Sequence, residues 1–144
     1  MEEACIDAFM SADIMIMAAA VADYRPTSPA HQKIKKKDDG LTLELEKTTD
    51  ILRELGKVKK KNQVLVGFAL ETNDEENNAL KKLNEKNLDC IILNSLQTEG
   101  AGFGTSTNEV TIYFKSGVKK IIALNSKEVV AAQIVEAINT FTTS

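Results

Sequence analysis

Two apolar runs without alternation stand out along the chain, Ile14 to Ala20 (IMIMAAA) and Gln63 to Leu70 (QVLVGFAL), and a third follows at Leu88 to Leu93 (LDCIIL). Strands that are apolar on both faces belong to sheets covered by helices on either side. Between and around them the spacing changes to helical. Glu2 to Met10 predicts a short helix with Ala4, Ile6 and Phe9 among its apolar positions. Thr48, Thr49 and Asp50 start a helix that runs to about Lys60, with Thr49 or Asp50 as its cap. Asp74 to about Asn87 predicts another helix. Lys127 to Thr140 closes the chain with Val130, Ile134, Ala137 and Ile138 on one stripe. Leu41 to Glu46 alternates, as a strand with one wet face does. Glu109 to Phe114 and Val118 to Ala123 read as a hairpin around Lys115, Ser116 and Gly117. Asp23 to Asp39, with Pro26 and Pro29, reads as an irregular charged flap, and Ser95 to Thr107 as an irregular Gly-rich stretch. The fold expected is α/β: a three-layer α/β/α, Rossmann-like parallel sheet with an appended antiparallel hairpin.

Composition narrows this picture. At 144 residues the chain has one domain's length, and 43% hydrophobic residues suffice for a core. Aromatics are 5% and Trp is absent, so that core is aliphatic. With 18 basic and 21 acidic residues, the net charge of −3 argues against general nucleic-acid binding and leaves room for a local phosphate pocket. The two cysteines form no framework. Cys90, inside an apolar strand, reads as a small core residue, which fits a cytoplasmic protein. No apolar stretch reaches membrane-spanning length, and the start carries no basic region of a signal peptide. Neither a Gly-rich dinucleotide turn nor a GxxxxGK[ST] loop is present, and the chain opens on a helix where such a fold opens on a strand. Residues 1–144 are therefore expected to be the C-terminal portion of a larger domain whose N-terminal part is missing.

Polar residues gather where the buried strands end: Asp23 after the first, Glu71, Thr72 and Asn73 after the second, Asn94 after the third. In a parallel sheet these exits share one edge, where open α/β folds bind ligands; the plainer reading is that they cap helices and turns. Lys33, Lys35, Lys36 and Lys37 form a basic run. On composition alone a solvated charge run is favoured, although Ile34 in its middle argues that part of it packs. A flap lysine is also suited to stabilise charge during phosphoryl or nucleotidyl transfer. His31, the one histidine, reads as a surface residue. No residues show metal-ligand spacing, so any Mg²⁺ would arrive on nucleotide phosphates. Phe68 is either a core residue or a platform for a base or sugar. Lys82 and Lys86 share a helical face and are either ligand contacts or surface lysines paired with Glu85 or Asp89.

Six segments in order, Ala18–Pro26 (AAAVADYRP), Lys33–Lys36 (KIKK), Thr49–Ile51 (TDI), Val66–Asn73 (VGFALETN), Lys86–Asp89 (KNLD) and Asn108–Val110 (NEV), resemble phosphopantothenoylcysteine synthetase, the phosphopantothenate–cysteine ligase of coenzyme A biosynthesis. The resemblance runs from about Ala12 to Ile138. In most bacteria this ligase is the C-terminal half of a bifunctional flavoprotein. The resemblance implies a CTP-dependent ligation of 4'-phosphopantothenate and cysteine through an acyl-cytidylate, releasing pyrophosphate and CMP; eukaryotic members favour ATP. It places nucleotide binding on Met17, Ala18, Ala19, Asp23, Lys33, Thr48, Thr49, Asp50, Ile51, Phe68, Lys82 and Lys86, with Lys33 as the catalytic flap lysine. It implies a homodimer with the hairpin region at the pairing surface, and FMN only in the decarboxylase half.

Two positions depart from the family pattern: Thr49 stands where proline is usual and Leu70 where alanine is usual. The family's Gly-rich loop, its first strands and the asparagine that acts on the acyl-nucleotide are not in this sequence, so the chain by itself is expected to bind CTP poorly and not to ligate. Rival readings are an NAD(P)-binding oxidoreductase, which needs a Gly-rich turn and an acidic ribose contact, and a non-catalytic nucleotide-binding subunit.

Overall fold

The computed structural model describes residues 1–35, 40–95 and 104–142. The chain divides into two compact units, Met1–Ala18 with Ile51–Ser144 and, separately, Ala19–Asp50. The first unit contains α1 (Glu2–Phe9), β1 (Ile14–Met17), α2 (Ile51–Val58), β4 (Val64–Glu71), α3 (Glu75–Glu85), β5 (Cys90–Ser95), β6 (Thr107–Phe114), β7 (Lys119–Ser126) and α4 (Lys127–Thr142). The second contains β2 (Tyr24–Pro26) and β3 (Leu45–Lys47).

The first unit is a five-stranded sheet in the order β1-β4-β5-β6-β7. β1 and β5 flank β4 in parallel, with Met17 opposite Gly67 and Leu70 opposite Asn94. The expected hairpin is present and longer than its apolar pattern: β6 joins β5 antiparallel and β7 adds to β6, so the hairpin extends the sheet. Gly117, at φ 88, supplies the left-handed residue of its turn.

Alternation along the strands sorts side chains into two cores. Leu65, Ala69, Ile91, Leu93 and Tyr113 meet Phe9 of α1, Ile51 and Leu55 of α2, and Ala79 and Leu83 of α3. Val66, Cys90, Ile92, Val110, Ile112, Phe114 and Ile122 meet the predicted stripe of α4, Val130, Ile134, Ala137 and Ile138. The sheet is thus the middle of three layers. Between the outer elements, Glu76 of α3 and Lys119 of β7 form an ion pair at 3.0 Å. The Lys119 ammonium holds the Glu76 carboxyl below its ordinary range, and Glu76 in turn raises Lys119.

Several elements differ from the sequence expectation. β1 stops at Met17 and the alanines after it stay outside the ladder. β5 runs to Ser95, so Asn94 lies inside the strand rather than after it. Leu41 to Glu46 does not form the alternating strand. Only Leu45–Lys47 pairs, with a strand inside the expected flap, and Leu41, Leu43 and Leu45 are all exposed, so the alternation has no core to serve. Of the Ser95 to Thr107 stretch, residues 96–103 lie outside the described part.

Three close fits hold the first unit at the amino edge of its sheet. Asp89 Oδ2 accepts from Lys59 Nζ at 2.7 Å and from the Leu65 amide at 2.8 Å, while its own backbone bonds Leu65 and Lys115. The buried Gln63 side chain donates to the carbonyls of Phe9 and Ala12. Gly56 of α2 lies against the turn after α3: its carbonyl accepts from Asn87 Nδ2 at 2.9 Å, and an added Cβ would overlap the Lys86 carbonyl.

That overlap decides the sign of a helix substitution. Alanine in a helix is favoured over glycine by about 1 kcal/mol, but forcing backbone apart in a packed interior costs about 1–3 kcal/mol or more. Gly56→Ala is therefore expected to lower the urea midpoint of unfolding; an unchanged or raised midpoint would show that α2 and the Lys86 turn separate freely.

Candidate functional site

Because β1, β4 and β5 are parallel, their carboxyl ends share one rim of the first unit, the edge at which open α/β sheets hold ligands. Met17 ends β1 half-buried against the core under α1, α2 and α3. Ala18 follows it exposed, as Ala19 is in the second unit, so no large side chain covers this backbone. Gly67 beside Met17 brings α2 close: a Cβ there would stand 2.7 Å from Leu52 Cδ2 and 2.9 Å from Leu88 Cδ1. Ile51, 6% exposed, opens α2 inside the same core.

Phe68 and Lys82 approach the rim from opposite faces. Phe68 is half-buried and packs with the core under α4; it is partly a core residue, with one side left open. Lys82 belongs to α3 on the other face. Its Nζ lies 2.6 Å from Oε1 of Glu71, the last residue of β4. The pairing expected from sequence neighbours is not the one formed: Lys81 stands 3.9 Å from Glu85, and Asp89 takes Lys59. Lys86 is half-buried at the end of α3, where its amide donates to the Lys82 carbonyl at 3.1 Å. From the sequence Glu71 reads only as a strand exit. Its role as the partner of Lys82 depends on how α3 folds back over β4, which no local pattern encodes.

On the α4 face of the same rim, Asn94 Oδ1 and Asn108 Oδ1 are buried with no hydrogen-bond partner among the described residues. Asn94 lies opposite Val110, two residues along β6 from Asn108.

The second unit holds the remaining residues. The Thr48 amide donates to the Asp23 carbonyl at 2.9 Å, and the Thr48 hydroxyl donates to the Ala22 carbonyl at 2.6 Å. Two segments twenty-five residues apart in sequence are thereby joined at the end of the β2–β3 ribbon, which Arg25 Nε and Glu46 Oε1 brace at 2.7 Å. Thr49 is exposed and Asp50 half-buried. Lys33, Lys35 and His31 are exposed on the connection between β2 and β3, while Lys36 and Lys37 lie outside the described residues. Among the described residues no group of three or more His, Cys, Asp or Glu is placed to hold a metal ion, and no helix is long and apolar enough to cross a membrane.

The fold defines an α/β protein with a three-layer, Rossmann-like sheet. Residues 1–141 match the family described as the DNA/pantothenate metabolism flavoprotein C-terminal domain, and the chain belongs to that family. It is 51% identical over 138 residues to the coenzyme A biosynthesis bifunctional protein CoaBC of Bacillus subtilis, covering 96% of this chain and 34% of that protein. It is 52% identical over 140 residues to a protein of an unknown prokaryotic organism named cysteine/cysteine sulfinic acid decarboxylase, covering 97% of this chain and 39% of the other. Among solved structures it resembles the C-terminal domain of a CoaBC protein, with TM-score 0.76 and 37% identity over 97% of this chain and 60% of that one. The chain spans little more than a third of the length of these curated relatives.

Cys90 takes no part in the rim chemistry. Burial, helped by the Asp89 charge, pushes its thiol from 9.0 up to about 12. The thiol's contribution to stability is complete below pH 9 and is lost as pH rises from there toward 12. At pH 8 a thiol-reactive dye is expected to label the half-buried Cys5 of the folded protein and to reach Cys90 only after denaturant is added. Rapid labelling of Cys90 in the native state would contradict its burial.

Proposed function

We propose that this chain is the nucleotide-binding part of a phosphopantothenate–cysteine ligase in coenzyme A biosynthesis. The observation that carries the proposal is the placement of Met17, Ala18, Phe68 and Lys82 about one carboxyl rim, in a chain whose family includes CoaBC proteins. The joining of Asp23 to Thr48 within the second unit supports it further.

In this reading the exposed alanines leave backbone open to a cytosine nucleotide, and Phe68 offers its open side to an apolar part of it. Lys82 and Lys86 supply positive charge for the phosphates. Lys33, on an exposed connection, meets the triphosphate. A carboxylate oxygen of 4'-phosphopantothenate bonds to the α-phosphorus of CTP, the bond to the β-phosphate breaks, and pyrophosphate leaves. The cysteine amine then attacks the acyl carbon of the cytidylate and gives up a proton as the C–N bond forms, and CMP leaves. The Lys33 ammonium stabilises negative charge building on the phosphate and on the mixed anhydride. Mg²⁺ enters on the nucleotide's own phosphates. FMN belongs to a decarboxylase half and has no role here. The working form is a cytoplasmic homodimer, with the β6–β7 hairpin at its pairing surface.

The test uses the full-length protein that contains this sequence. Lys33→Ala is expected to cut pyrophosphate release from CTP by about a hundredfold or more, with the far-ultraviolet circular dichroism spectrum unchanged. Wild-type turnover in that variant, or turnover with ATP and not CTP, would overturn the corresponding part of the proposal.

A further inference from the structure

The Lys82–Glu71 pair is asymmetric. Glu71 is the anchored partner, its side chain 14% exposed and its backbone held in the ladder opposite Ser95, whereas the Lys82 side chain is 43% exposed. The carboxylate therefore sits in the frame of the sheet and the ammonium is the accessible end. A partly exposed ion pair of this kind adds little to folding stability, so stability alone is a weak account of it. Its geometric effect is larger. A lysine stem samples many rotamers, and the 2.6 Å bond to Glu71 Oε1 holds the ammonium at the end of β4 before any ligand arrives. One of the three ammonium donors faces the carboxylate; the others remain for an acceptor at the rim.

We propose that Glu71 is a positioning residue that sets the Lys82 ammonium to receive the nucleotide, acting through Lys82 and not by touching the ligand. This rests on the reading above, in which Lys82 meets the nucleotide. Two effects of the Glu71 charge oppose each other. It repels an anionic ligand, and it orders the cation that attracts one. The short bond already offsets much of the negative charge, so the ordering effect dominates and loss of Glu71 weakens binding.

A double-mutant cycle in the full-length enzyme tests this through the KM for CTP, kcat, and thermal unfolding as a control for folding. Glu71→Gln is expected to raise KM about fivefold with kcat nearly unchanged, and Lys82→Met to raise it at least as much; the double variant is expected to match Lys82→Met alone, since Glu71 has nothing left to position. Glu71→Asp, which keeps the charge, is expected to restore part of the loss and covers the case in which Glu71→Gln folds poorly. An unchanged or lowered KM in Glu71→Gln beside a raised KM in Lys82→Met overturns this inference alone. Effects that multiply in the double variant also overturn it, because Glu71 would then act by another route. A wild-type KM in Lys82→Met overturns the assignment of Lys82 to the nucleotide, and this inference with it.

Discussion

The first unit depends on one carboxylate. Asp89 stands where β5 begins, and its Oδ2 accepts both from Lys59, beyond the end of α2, and from the Leu65 amide of β4. Its backbone nitrogen reaches the Leu65 carbonyl and its carbonyl receives the Lys115 amide after β6. One residue thus fixes the start of the β4–β5 ladder, the end of β6 and the exit of α2. The Lys59 side chain is 8% exposed, so the ion pair is desolvated on that side. Removing either partner of such a pair costs about 3–5 kcal/mol, because the other charge is left buried without compensation. Burial of the neighbouring Cys90 in the core under α4, with the Asp89 charge beside it, raises that thiol and keeps it protonated.

Fixing the ladder at one edge of the sheet determines the other edge. With Val66 set opposite Cys90, Leu70 falls opposite Asn94 and Glu71 opposite Ser95. A slip of one residue would turn Glu71 toward α4 and away from Lys82. The amino edge therefore carries the Lys59–Asp89 pair and the carboxyl edge carries the Lys82–Glu71 pair, and the register between them is shared. Gly67 and Gly56 serve the same end, letting α2 lie close against β4 and against the turn that carries Lys86.

Much of this was legible in the sequence because burial leaves a continuous trace. The apolar runs around Leu65 and Ile91 became the central strands, and the α4 stripe Val130, Ile134, Ala137 and Ile138 is buried as its spacing requires. Local pattern failed where pairing or burial was decided from afar. Tyr24–Pro26 has no periodicity and includes a proline, yet it pairs with Leu45–Lys47. Leu41 to Glu46 has the periodicity and no core to use it. Gln63 and Asp89 read as ordinary polar residues, because their partners Phe9, Ala12, Lys59 and Leu65 are brought to them only by the tertiary fold. For the candidate site the resemblance supplied residues that spacing could not rank, Lys82 above all, while the identity of its partner needed the packing of α3 on the sheet.

The two faces of β4 end in different chemistry. Phe68 leaves an aromatic edge open on one side, and Glu71 with Lys82 leaves a charged pair on the other, three residues further on. A molecule touching both must fold over the tip of a single strand, so it must be hinged and must differ in polarity between its two ends. A rigid, uniformly charged ion meets only one of these surfaces. The strand tip thus sets an aromatic surface and a charged one a single sheet's thickness apart.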